Sequence, residues 1–261
     1  MMFVLGRRIP TSWEHVSKYP LSFAMPISVV KVEKILKLPW HHWQAEQGST
    51  SSCVGHAVVM ERAISNGSQN AWVNLFRPSR RYDPIWQWEQ AKVVDEWLDT
   101  NIGDNNGTSI RAAYQVAKDI GVKRARRIYL NADERPVVIG SDTPDPAEGV
   151  TTYRWAADVD EIRTALQKGL PVVIGVFWWS DMMPSELIHL RNSDWWIREK
   201  QRPQDVVLGG HAVCLYGASD KRQAFRLKNS WGRSFPLVWL PYSRMEMLLR
   251  DQGEAVVAVD R

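Results

Sequence analysis

The chain has 261 residues, enough to bury a full core as one large domain or as two lobes sharing an interface. Its 44% apolar and 24% charged content is that of an ordinary globular protein, and a net charge of +4 is too small an excess to argue for a nucleic-acid partner. No apolar run suits a membrane span or a signal peptide: the stretch from Leu21 to Val30 is broken by Pro26, and residues 1–8 lack a long apolar core. Two cysteines, Cys53 and Cys214, give no disulfide framework, so a reducing, cytoplasmic setting is expected. The basic clusters Arg77/Arg80/Arg81 and 123–127 carry no interleaved stacking aromatics and read as solvated surface.

In chain order, residues 1–46 are irregular and punctuated by Pro10, Pro20, Pro26 and Pro39, with one short helical candidate over 30–38. Residues 53–65 read as a mostly apolar helix stopped by Asn66-Gly67, and an apolar helix is a buried one. A second helix is predicted over 84–100, with Trp86, Ala91, Val94 and Trp97 near one stripe. A polar turn, 103–107, leads to Thr108-Ser109, which cap a third helix ending at Gly121. The Pro-rich stretch 131–150 reads as a surface loop. Asp158 opens a helix that closes at Gly169, and a strand follows over 171–178. A long polar insertion, 180–205, holds Trp195-Trp196; it is expected either to overhang a cleft or to dock another protein. Strands are predicted over 211–218, 222–229, 237–240 and 255–259. Helices first and strands later imply an α+β chain with a helical lobe, a β lobe and a cleft between them.

Cys53 opens its helix, where the dipole and free backbone N–H groups favour a thiolate and lower the thiol pKa. Gln47 stands six residues before it; Gly209-Gly210-His211 and Asn229-Ser230-Trp231-Gly232 follow far downstream. In this order the pieces resemble the papain-like (C1) cysteine peptidases. The Cys-to-His separation exceeds the roughly 130–150 residues usual there, and the insertion at 180–205 can hold the excess. The resemblance implies a two-lobe fold with a central helix, an antiparallel β-barrel-like second lobe, and hydrolysis of polypeptide substrates. Its boundaries would be an N-terminal extension over 1–39 packing on the body, a helical lobe over 40–130 and a β-rich lobe over 131–261.

The resemblance also implies roles. Cys53 is the nucleophile, His211 the base and acid, Asn229 the group that orients the imidazole, and Gln47 an oxyanion donor beside the Cys53 N–H. Trp231 covers the Asn229–His211 hydrogen bond. Gly107-Thr108 stands where a turn pairs with extended substrate, and Gly209-Gly210 leaves an open pocket that would favour bulky apolar side chains. The chain departs from the family in reading Gly-Ser-Thr-Ser-Ser-Cys before the nucleophile and Val54 after it. His56 reads as packing or solvent-facing, and Cys214 as buried and inert. No calcium loop, phosphate-binding loop or HExxH pair occurs, so no metal and no cofactor are expected, and no nucleic-acid or membrane partner. The compact form, with too little chain before Cys53 for a long inhibitory prosegment, is similar to bacterial or phage-encoded members, the latter virion-associated. The alternative reading is a catalytically weak papain-like scaffold that binds proteins through its Trp-rich surface.

Overall fold

The computed structural model describes residues 5–10, 13–27, 30–39, 41–42, 45–68, 81–96, 106–190 and 194–259. The elements run α1 (Glu14–Lys18), β1 (Glu33–Ile35), α2 (Cys53–Ser68), α3 (Pro84–Val94) and α4 (Ile110–Asp119). Short strands β2 (Val122–Lys123), β3 (Arg127–Leu130), β4 (Pro136–Ile139), β5 (Pro144–Asp145) and β6 (Tyr153–Ala156) come next. The remainder is α5 (Val159–Gln167), β7 (Val172–Trp179), β8 (Ile188–His189), β9 (Trp195–Trp196), β10 (Val207–Ser219), β11 (Ala224–Lys228), β12 (Val238–Pro241), α6 (Tyr242–Arg250) and β13 (Glu254–Ala258).

One sheet organises the molecule, in the order β6-β13-β7-β10-β11-β12-β9-β8, with β1 added to β10. All its ladders are antiparallel except β9 on β12. Strand alternation divides the core between two faces. On β7, Val172, Ile174 and Val176 join one buried cluster, with Ile162, Ala165 and Leu166 of α5 and Met245 and Leu248 of α6. Val173 joins the other, with Ala57 and Val58 of α2 and Ala112, Ala113 and Tyr114 of α4. Helix α2 serves both, since its Met60 and Ile64 lie in the first cluster and its Val54 in the second. That double burial is why its sequence is apolar nearly all round.

Local signals set most helix ends as predicted. Ser109 caps α4 by accepting from Ala112 N, and Asp158 caps α5 by accepting from Glu161 N. The stretch 30–38 is a correction: it forms β1, not a helix. The edge of β10 supplies the partners, with Glu33 opposite Ser219 and Leu36 N donating to the Tyr216 carbonyl, and this pairing overrides local helix preference. Residues 131–150 are not a plain loop either, because 136–139 pairs with 127–130 as a hairpin. Helix α3 turns Gln87, Trp88 and Ala91 inward, whereas Trp86 is half-buried and Val94 exposed; Trp97 lies outside the described residues. Helix α6 was not anticipated from sequence, although Tyr242, Met245 and Leu248 fall on one buried side.

Helix α6 also carries Arg244, whose Nη2 lies 2.8 Å from Asp181 Oδ1 with both side chains fully buried. Arg244→Met would strand a carboxylate in the core, at about 3–5 kcal/mol. Urea unfolding of this variant is expected to show that loss, with most of it recovered in Arg244→Met/Asp181→Leu.

Candidate active site

The turn before α2 is closed by its own side chains. Thr50 Oγ1 donates to the Gln47 carbonyl (2.7 Å) and lies 2.6 Å from Ser52 Oγ, while Gly48 takes φ +53. Gln47 N donates to the Ser230 carbonyl (2.8 Å), and Glu46 bridges to Trp231, so the turn is tied to the loop after β11. The Gln47 side chain is oriented twice: Nε2 donates to the Thr50 carbonyl (2.9 Å), and Oε1 accepts from Ser230 Oγ (2.6 Å). Cys53 then begins α2.

His211 comes from β10 and Asn229 from the residue after β11, and they meet at 2.9 Å, His211 Nε2 to Asn229 Oδ1. Because the same Oδ1 accepts the Ser230 N–H (2.6 Å), it is the amide oxygen that faces the ring. Nε2 must therefore carry the proton, which leaves Nδ1 as the basic nitrogen. Trp231 stacks on the imidazole at 4.9 Å between ring centres, and Trp178 meets it edge-on at the same separation. The two indoles wall the His211–Asn229 bond off from water.

All four groups are out of solvent: Cys53, His211 and Gln47 are 0% exposed and Asn229 is 1% exposed. Burial pushes the Cys53 thiol up to about 11, against the opposing pull of the Ala212, Gly6 and Val54 N–H groups and the Arg7 charge. Burial likewise pulls His211 down to about 4, with the Asn229 hydrogen bond opposing. Nδ1 of His211 makes no hydrogen bond. Both directions oppose a thiolate–imidazolium pair while the site is closed. The helix dipole favours charge on the sulfur, and loss of water, the larger effect, favours the neutral thiol and the neutral imidazole.

What closes the site is the chain's own residues 5–8. Gly6 packs on the turn before Cys53, where a Cβ on it would fall 2.0 Å from the Ser51 carbonyl oxygen, and its own carbonyl accepts from Thr108 N (3.0 Å). Arg7 N donates to the Gly210 carbonyl (2.9 Å), and Arg8 N to that of Thr108 (3.0 Å). Residues 5–8 thus run between Gly107-Thr108 on one side and Gly209-Gly210 on the other, touching both. Gly209 sits at φ +153 against Leu5.

No model of a known protein family matches the sequence. Solved structures do match it over nearly its whole length. Xylellain, a cysteine protease from Xylella fastidiosa, superposes with a TM-score of 0.58 at 17% identity, over 99% of this chain and 92% of that one. Procathepsin B from Trypanosoma congolense gives 0.62 at 10% identity, over 99% and 87%. The fold is papain-like. In sequence, an uncharacterized peptidase C1-like protein of Acanthamoeba polyphaga mimivirus is 25% identical over 220 residues, 80% of this chain. The chain spans 66% of that relative's length.

Within this papain-like frame, the remaining singled-out residues can be placed. Of the two alternatives for His56 the packing one holds: it is buried among Ala45, Met60 and Asn229, and burial pulls it down to about 3. Cys214 is fully buried, its thiol pushed well up by burial. The Trp195-Trp196 pair is half-buried as β9, with Trp196 stacked on Trp239 at 5.8 Å. Three contributors were missed. Trp178 braces the imidazole; its signal was the run of aromatics ending β7. Asp95 is buried and accepts from Thr108 Oγ1 (2.6 Å), Ser109 N (2.6 Å) and Ser109 Oγ (3.0 Å), which pins the groove's rim. Arg7, with its partner Glu254, carried no local signal at all. Among the described residues no cluster of metal-ligating side chains occurs, and no helix is long and apolar enough to cross a membrane.

Proposed function

We propose that the chain is a thiol peptidase that hydrolyses peptide bonds in polypeptides through Cys53, His211, Asn229 and Gln47. The observation that carries this reading is the His211–Asn229 hydrogen bond under Trp231, with Cys53 packed in one buried cluster with Ala212, the residue after His211. With the groove open to substrate, His211 Nδ1 takes the thiol proton, and the thiolate attacks the carbonyl carbon. The oxyanion is met by the Cys53 N–H and the second N–H of Gln47 Nε2. His211 returns the proton to the leaving amine, the C–N bond breaks, and a thioester remains. Water then loses a proton to His211 and attacks the thioester, releasing the acid and restoring the thiol. Asn229 holds the ring in one orientation throughout.

Burial of the sulfur favours a second reading, a papain-like body that binds proteins without turnover. A peptidyl epoxide separates the two. It binds only the open form, but its adduct is irreversible and accumulates even from a small open population. Mass spectrometry is expected to find one adduct on Cys53, none on Cys214, and none in Cys53→Ala. Absence of adduct at saturating reagent, together with no cleavage of any peptide, would establish the binding reading instead.

A further inference from the structure

Lys228 closes β11 and stands directly before Asn229, in register with Cys214 of β10. It is 4% exposed, and a lysine is almost never buried this deeply without a partner for its charge. That partner is not a carboxylate. Among the described residues no ion pair reaches Lys228, and its ammonium donates instead to the Asn229 carbonyl at 2.6 Å. The cavity it lines with His56, Met60 and Asn229 has a volume of about 10 Å³, room for no more than one water. The charge is therefore met by protein, and chiefly by one carbonyl.

That carbonyl belongs to the residue that orients the imidazole. Asn229 lies past the last paired residue of β11, so no sheet ladder holds its backbone. Its side chain is held at one end alone: Oδ1 accepts from His211 Nε2 (2.9 Å) and the Ser230 N–H (2.6 Å), while Nδ2 is buried and makes no hydrogen bond. The amide therefore stays on the ring only as well as its own backbone is placed, and a charge-assisted bond is the strong hold on that backbone. We propose that Lys228 is a positioning residue: its buried positive charge grips the Asn229 carbonyl and so keeps the Asn229 amide on His211. The inference rests on the peptidase reading for its effect on turnover, but not for its effect on the ring. His56 of α2, His42 and Glu46 ahead of that helix, and Cys214 of β10 face the ammonium, and Glu46 alone brings a charge that favours it. Burial pulls Lys228 down to about 8, with Glu46 opposing. From there up to the ordinary lysine range the folded chain gives up the proton, and the grip weakens. The unfolded chain still binds that proton, so Lys228 adds stability to the fold as pH rises through the same range. Activity falls where this contribution to stability grows, which unfolding cannot imitate.

The test uses the full chain with Lys228→Met and Lys228→Arg, the second keeping a charge that does not titrate. On one peptide at pH 7, Lys228→Met is expected to lower kcat by about five- to tenfold with KM little changed, and Lys228→Arg to restore most of it. From pH 7 to 9, wild-type activity is expected to fall away from that of Lys228→Arg while the wild-type urea midpoint rises relative to it. The resting protein, with its imidazoles labelled with nitrogen-15, gives the direct readout. There the His211 Nε2 proton, identified by comparison with Asn229→Ala, is expected to exchange with solvent at least about tenfold faster in Lys228→Met than in Lys228→Arg. Faster exchange without cleavage of any peptide by the wild type would overturn the peptidase and leave the grip standing. Faster exchange with undiminished turnover would overturn the proposal, since a freed ring would then cost nothing. Unchanged exchange in Lys228→Met would end it whatever the turnover, and make Lys228 a filler of its site. Should Lys228→Met not fold, the ratio of wild-type to Lys228→Arg exchange carries the test: it is expected to rise severalfold between pH 7 and 9, and a constant ratio counts equally against the grip.

Discussion

His211→Gln is expected to lower kcat/KM by about a thousandfold or more, because one side chain serves as base for the thiol, acid for the amine and base for water. Gln offers an amide where the imidazole presents Nδ1, so it can pack between Trp178 and Trp231 but cannot accept and return a proton. Asn229→Ala should act more mildly, about ten- to a hundredfold, since it frees the ring's orientation without removing the base. The ranking is the check, read from initial rates on one peptide. An Asn229 variant as impaired as the His211 variant would mean that the pair acts through packing rather than proton transfer.

Acid is expected to destabilise the fold steeply between about pH 6.5 and 4. Burial holds three imidazoles neutral in the folded chain: His211 and His41 are pulled down to about 4 and His56 to about 3. Their depressed values mean that the unfolded chain binds more protons in this window, so stability is fully present above the ordinary imidazole value and is lost as pH falls. Each fully buried imidazole is worth about 3 kcal/mol at the acid limit, and three together rival the stability of a typical domain. The carboxyls of Asp181 and Glu161, pushed up by the same burial, work in the other direction and trim the slope. Urea unfolding at a series of pH values measures the slope directly, and His56→Phe should flatten it by roughly one proton. A pH-independent midpoint across the window would show that these rings are solvated.

How much of this was legible in the sequence depended on the range of each interaction. Caps, turn glycines and period-two apolar runs act over a few residues, so α4, α5, β7, β10 and β13 could be placed from local signals. Of the candidate set Cys53, His211, Asn229 and Gln47, read from its order and offsets along the chain, the structure brings His211 to Asn229 at bonding distance and ties Gln47 to Ser230 beside Asn229. Strand β1 was missed because its partner lies far away on β10. Helix α6 was missed because Pro241 and a polar start look like a strand ending. The thiol's raised pKa was misjudged for a related reason: a helix start is visible in sequence, whereas Gly6 packing on the turn before Cys53, from far upstream, is not.

That cover has a chemical corollary. Peroxide and other oxidants react with thiolate, and a thiol whose pKa stands near 11 keeps almost none at neutral pH. While residues 5–8 close the site the sulfur is therefore shielded from air as well as from peptides, and the resting protein can be kept without a reductant. Vulnerability to sulfenic and sulfinic acid would begin only at the moment the groove opens for work.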